Sequence, residues 1–300
     1  MADLPYYYED QPSWRKYAEG LVPIIILILI VLVLIGKTSN VFCTIPGLDA
    51  VFCGGSGINI AVIGSFDKQD TVIGASNLET FLDSDTGRAC NMQAQTFSPD
   101  ELTYITGQLL KNYDLVVLSG QRNYTRPVRE ALQAYLEAGG KMVIVGDAGT
   151  ADPEDNLYNG WGQLQVPVTL RTSSSDTIVD GIPIANLADP VLRIVDMNHP
   201  IVVGYGFKMN LSQVNKEQCS STLTEPLQIV DINPNDGTTI LTISGYDSDN
   251  QRTRTFPAVV ESQSLLGGKV YYFSFDPGCM TNMWISTVQD ITGKNTCVIS

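Results

Sequence analysis

Residues Tyr113 to Thr150 read YDLVVLSGQRNYTRPVREALQAYLEAGGKMVIVGDAGT, and this run decides the fold. Leu115 to Leu118 is short, apolar and valine-rich and stops at Ser119-Gly120, the pattern of a buried strand entering a loop. Val128, Leu132, Tyr135 and Leu136 recur at helical spacing up to Ala138, with Pro127 suited to the first turn and Gly139-Gly140 to the stop. Met142 to Val145 is a second buried strand. A strand, a helix and a strand in so short a span form a βαβ unit with parallel strands and a right-handed crossover. Ligands on such sheets lie beyond the carboxyl ends of the strands, which directs attention to Ser119–Arg126 and Gly146–Asp155.

Working outward, INIAVIG from Ile58 has the continuous apolar character of another parallel strand. Asn77 to Leu82 reads as a helical turn, Asp83 to Gly87 as a polar loop and Ala94 to Phe97 as a strand. Ser98, Pro99 and Glu101 then supply a helix start, with that helix running to about Lys111. After Thr150, turn signals such as DGIP and NPNDG break residues 163–245 into short strands. Ile240–Ser244, Ala258–Glu261 and the KVYYFSF run from Lys269 are further strands, and a helix is expected from Thr281 to Ile291. The expected class is α/β: a mostly parallel, Rossmann-like (flavodoxin-like) sheet over 58–300, with a β-rich insertion at about 151–256 that either decorates the sheet or forms a small lobe.

Leu21 to Ile35, LVPIIILILIVLVLI, carries no polar side chain. At about 1.5 Å per residue it reaches ~22 Å, so neighbours out to Gly36 complete a bilayer span. The expected layout is a polar tail over 1–20, one transmembrane helix over 21–36 in contact with lipid, and a glycine-rich linker over 37–57. Arg15 and Lys16 in front and only Lys37 behind favour a cytoplasmic amino terminus and an extracytoplasmic carboxyl domain. All six cysteines, Cys43, Cys53, Cys90, Cys219, Cys279 and Cys297, follow the apolar segment, as expected of disulfides formed outside the cell. Cys43 with Cys53 is the first pair to test. Asn123-Tyr-Thr125 and Asn210-Leu-Ser212 match the N-glycosylation acceptor pattern.

The 32 acidic against 18 basic residues, a net charge of -14, argue against nucleic acid, whose phosphates need clustered Lys and Arg. No Cys/His cluster has zinc spacing, and Gly54-Gly-Ser-Gly57 precedes a strand instead of opening a helix, so neither a metal nor a cofactor is expected. The candidate ligand-binding residues lie on the carboxyl-end loops. Asp147, Asp152 and Asp155, with Glu154 beside them and Asp276 after the last strand, form an acidic group suited to sugar chemistry or a hard cation, against the ordinary use of Asp in turns. Gln121, Arg122 and Tyr124 on the other loop suit a carboxylate, a sugar or a protein partner, while Trp161 and Tyr158 would stack on a sugar if exposed.

INIAVIG, YDLVVLSG, LEAGGKMVIVGD, His199-Pro200-Ile201 and the closing GGKVYYFSFDPG, in that order, resemble the class I glutamine amidotransferase-like superfamily. The likeness is to its non-catalytic branches, the ThuA-like domains and the membrane-tethered domains related to gliding-motility accessories. In the catalytic branch the strand matching Met142–Val145 leads into a turn bearing a nucleophilic cysteine, assisted by a histidine and a glutamate two residues beyond it. Here the turn is Gly146-Asp147-Ala148-Gly149, and the only histidine, His199, is followed by Pro200 and Ile201. The resemblance therefore implies a catalytically degenerate domain, without a catalytic triad, serving binding or self-assembly with a protein partner or a carbohydrate. Two alternatives stand beside it. Glu19-Gly20-Leu21-Val22, with Arg15 and Lys16 upstream, resembles an archaeal class III prepilin processing site, which implies a filament subunit cleaved after Gly20. The other is a carbohydrate-acting hydrolase using the acidic loop.

Overall fold

The computed structural model describes residues 27, 57–104, 109–162, 164–171, 177–202, 208–210, 227–263, 268–294 and 297. Of the amino-terminal unit Met1–Ser56, only Leu27 is among them. The expected span at 21–36 therefore lies, Leu27 apart, outside the described residues, as do Cys43, Cys53 and Cys219. No helix among the described residues is long and apolar enough to cross a membrane.

The unit Gly57–Ser300 is built on one large sheet. Its strands are β1 (Ile58–Gly64), β2 (Met92–Phe97), β3 (Leu115–Ser119), β4 (Lys141–Val145), the short pair β5 (Ala151–Asp152) and β6 (Asp155–Asn159), β7 (Val168–Leu170), β8 (Thr177–Val179), β9 (Ile182–Ile194), β10 (Lys208–Asn210), β11 (Leu227–Val230), β12 (Ile232–Pro234), β13 (Thr238–Asp247), β14 (Arg252–Gln263) and β15 (Lys269–Phe273). The helices are α1 (Ser76–Asp83), α2 (Asp85–Ala89), α3 (Pro99–Tyr104), α4 (Arg126–Glu137) and α5 (Thr281–Thr292). Along the sheet the order is β10-β9-β13-β14-β15-β4-β3-β1-β2, with β8 and β11 also on β9.

The central βαβ unit is β3, α4 and β4, with β3 and β4 parallel. Every residue of β3 is buried, because both faces of a parallel sheet are covered. Helix α4 buries Val128, Arg129, Leu132, Tyr135 and Leu136. It ends in a Schellman arrangement: Gly140 N–H donates to Tyr135 O at 2.9 Å and Gly139 N–H to Leu136 O at 3.0 Å, with Gly139 at φ +86°.

The expectation of a mostly parallel sheet needs correction. Four pairings in the large sheet are parallel, β1–β2, β1–β3, β3–β4 and β4–β15, and six are antiparallel. The chain after Thr150 does not stand apart as a lobe. β14 pairs with β15, and β13 and β9 follow it outward, so the hairpin-rich half extends the same sheet. Antiparallel neighbours need only a tight turn, whereas each parallel pair needs a crossover. A second correction is local. Asp83–Gly87 is not a loop, since Ser84 caps α2 by accepting from Gly87 N–H at 3.1 Å. Of the helix expected from Ser98 to Lys111, α3 and a 3-10 turn at Leu110–Asn112 are described.

A disulfide joins Cys90, beyond α2, to Cys297 across 207 residues, and Cys279 is also disulfide-bonded. No free cysteine is present among the described residues.

Candidate functional site

The chain leaves β1 for β2 on one side and returns with β3 on the other, so the loops after β1 and β3 part at the sheet's topological switch point. They cross closely. Gly64 (φ +106°) and Gly120 (φ +72°) have positive φ, and a Cβ on them would stand 2.2 Å from Ser119 O and 2.3 Å from Ser65 O. The wall opposite comes from the hairpin β8–β9, whose two-residue turn, Asp180 (φ +49°) and Gly181 (φ +82°), has the positive dihedrals of a type I′ turn. Arg122 Nη2 donates to Asp180 O at 2.8 Å and ties that hairpin to the β3 loop. Between these parts lies a crevice of about 270 Å³, lined by Lys68, Asp70, Thr71, Arg122, Val179 and Gln228 among others.

Asp147 sits beneath the crevice and is fully buried. Its Oδ1 accepts from Val72 N–H at 2.7 Å, and its Oδ2 lies 3.4 Å from Arg122 Nε. Burial pushes its carboxyl up to about 6, with the Val72 N–H and the Arg122 charge pulling the other way. The Asp147 side chain, in the turn after β4, thus faces inward and joins the loops after β1, β3 and β4.

The other expected site residues do not converge on one ligand. Tyr124 is fully buried and its phenol donates to Ile63 O at 2.7 Å, so it is a strut of the core and not a ligand contact. Gln121 Nε2 donates to Gln69 Oε1 at 2.6 Å on the crevice rim. Asp152 accepts from Glu154 N–H at 3.0 Å, an Asx turn, and Asp155 lies opposite it in β6. Asp276 caps the turn after β15, accepting from Gly278 N–H at 2.9 Å and from Asn77 N–H at 2.8 Å; burial pushes it up to about 6 against those donors. Of the acidic group expected to act together, Asp147, Asp152 and Asp276 each accept from a backbone N–H, and the Asp155 side chain lies outside what the structure describes. Trp161 is buried too, its indole donating to Ala148 O at 2.8 Å, and offers no stacking face. Of the glycosylation candidates, Asn123 is exposed on the β3 loop, and Asn210 is in β10.

A polar network at the opposite, amino-terminal end of β15 was not anticipated. His199 Nε2 lies 2.5 Å from Glu261 Oε2 on β14, and Lys269 Nζ lies 2.8 Å from Glu261 Oε1. Tyr271 donates to Asp290 Oδ2 on α5 at 2.5 Å, and Lys269 also pairs with Asp290. Burial raises the Glu261 carboxyl, but hydrogen bonds from His199 and Lys269 outweigh it and hold the group at about 2. His199, Glu261 and Asp290 bring ligand atoms within 4.8 Å of one another, the spacing of a metal site. The Lys269 ammonium already occupies the cation's position between the carboxylates. Only the i, i+2 placement of Lys269 and Tyr271 on one strand face was available in the sequence as a signal, since the other members come from separate elements.

No known family profile matches the chain, and no curated protein does either. Solved structures do match. A β-galactosidase from Bacillus circulans sp. alkalophilus aligns with TM-score 0.52 and 12% identity over 80% of this chain, which spans only 32% of the enzyme. A putative ThuA-like protein from Parabacteroides merdae aligns with TM-score 0.51 and 14% identity, over 81% of this chain and 93% of that one. At such identities the likeness is one of fold, and the class it defines is an α/β domain with a ThuA-like fold.

Proposed function

We propose that the chain is a single-pass membrane protein whose extracytoplasmic domain is a catalytically degenerate member of the amidotransferase-like superfamily and serves binding or assembly. The observation that carries this reading is Asp147. An acid stands where the nucleophile is expected, it is inaccessible, and its oxygens face Val72 N–H and Arg122. Glutamine hydrolysis as in the catalytic branch requires an accessible thiol against a base, and His199 is paired with Glu261 at the far end of β15. The disulfide state of Cys90, Cys279 and Cys297 suits an oxidising compartment and so supports an outward-facing domain. The crevice at the switch point is the binding surface this reading assigns, with Gln121 and the Arg122-tethered hairpin at its edge.

Two measurements on the full chain test the reading. Alkaline carbonate washing of membranes should leave the protein in the pellet, and protease added to intact cells should digest the domain. Recovery in the soluble fraction would remove the anchor. Mass spectrometry of the mature amino terminus separates this reading from the filament subunit, because a peptide beginning at Met1 rules out cleavage after Gly20.

A further inference from the structure

Around the sequon Asn123-Tyr-Thr125 the β3 loop alternates sharply between inside and outside. Arg122 is 7% exposed and Tyr124 0%, whereas Asn123 between them is exposed. The backbone there is pinned on both sides: Tyr124 N–H donates to Ala151 O at 3.0 Å and Ala151 N–H to Arg122 O at 2.9 Å. The Asn123 amide is thus displayed on a rigid support. Its Nδ2 donates to Asp70 Oδ2 at 2.6 Å, and Asp70 lines the crevice.

Thr125 supplies the second observation. It occupies the N-cap of α4, where a threonine hydroxyl ordinarily accepts from the first turn, yet it makes no side-chain cap bond. Its Oγ1 is buried and has no hydrogen-bond partner among the described residues. A valine would fill the same volume without the desolvation cost of an unpaired hydroxyl. The fold has no use for this oxygen, and the acceptor motif requires it.

We propose that Asn123 carries an N-linked saccharide that stands at the rim of the switch-point crevice. The proposal rests on the extracytoplasmic placement given above. The donor is a lipid-linked saccharide phosphate: the bond from the sugar's anomeric carbon to the phosphate oxygen breaks, a bond from that carbon to Nδ2 forms, and one amide proton leaves with the phosphate. The remaining N–H is sufficient for the bond to Asp70. Asn210, in the short strand β10, is not part of the proposal.

The test is peptide mass mapping of the protein isolated from the organism that makes it, beside Thr125→Val and Thr125→Ser variants expressed there. The Asn123 peptide should carry a saccharide mass in the wild type and in Thr125→Ser and lose it in Thr125→Val, while the melting temperature of Thr125→Val stays level or rises. A saccharide on Asn123 in Thr125→Val would overturn the assignment. So would a bare Asn123 in the wild type when external protease digests the domain, and the membrane placement would then stand without it. Protection of the domain from external protease would defeat the placement and the glycan together.

Discussion

Asp147 illustrates how one side chain sets both a structural role and a pH dependence. Its folded-state pKa is raised by burial, so the folded protein holds that proton more tightly than the unfolded chain does. The associated stability is present in full below the ordinary carboxylate value of 3.8 and is lost as pH rises toward about 6, by about 3 kcal/mol at most. Asp276, raised to about 6 in the same way, adds a second fall over the same window. In urea titrations between pH 4 and pH 7, Asp147→Asn should flatten the decline and leave the share due to Asp276. An unchanged slope would mean that Asp147 does not titrate where its burial places it. Tyr124→Phe is a separate case. Removing the bond to Ile63 O from a fully buried site should cost about 1–2 kcal/mol in urea unfolding. These roles were hidden in the sequence because Asp and Tyr in a loop look the same whether they face solvent or the core. What was legible was the absence of a thiol in the turn after Val145.

At the scale of elements, the central βαβ unit was fully legible, because Pro127, the Gly139-Gly140 pair and two continuous apolar runs all agree with one another. The long strands β9, β13 and β14 were only partly so. Burial along β9 and β13 alternates only in part, with runs of consecutive buried residues, and no such pattern tells which strand lies beside which. Two polar clusters hold this half together. Arg254 Nη2 lies 2.7 Å from Asp231 Oδ2 and Nη1 lies 3.0 Å from Asp247 Oδ2, with both carboxylates fully buried. Arg254→Ala would strip Asp247 of this pair and Asp231 of its nearer arginine, and should cost about 3–5 kcal/mol in denaturant unfolding. The His199–Glu261–Lys269 cluster works with the opposite pH sign from Asp147. Glu261 is depressed to about 2, so its contribution is present above about 4.5 and is lost as pH falls toward 2. Thermal melts of Glu261→Gln should fall less steeply than wild type below pH 4.5, and an identical acid limb would count against the hydrogen bonds assigned to it.

The whole molecule depends on a covalent tie as well as on the sheet. Cys90–Cys297 fastens residue 297, beyond α5, to the end of α2, and removing this one bridge in a Cys90→Ala, Cys297→Ala variant should lower stability by about 2–5 kcal/mol in denaturant unfolding. The even cysteine count announced disulfides, but the pairing depends on which ends of the fold meet. The crevice was foreseen only as a pair of loops, since the hairpin that closes it arrives from an insertion whose position in the sheet no local pattern discloses. The switch-point geometry and the inward-facing Asp147 bear on the proposal made above, that this domain offers a binding surface and does not hydrolyse glutamine. That claim is tested most directly by incubating the purified full-length protein with glutamine and measuring ammonia release, beside variants replacing each cysteine in turn. The account predicts release no greater than the buffer blank in every sample. Release above the blank that vanishes on replacing a single cysteine would contradict it.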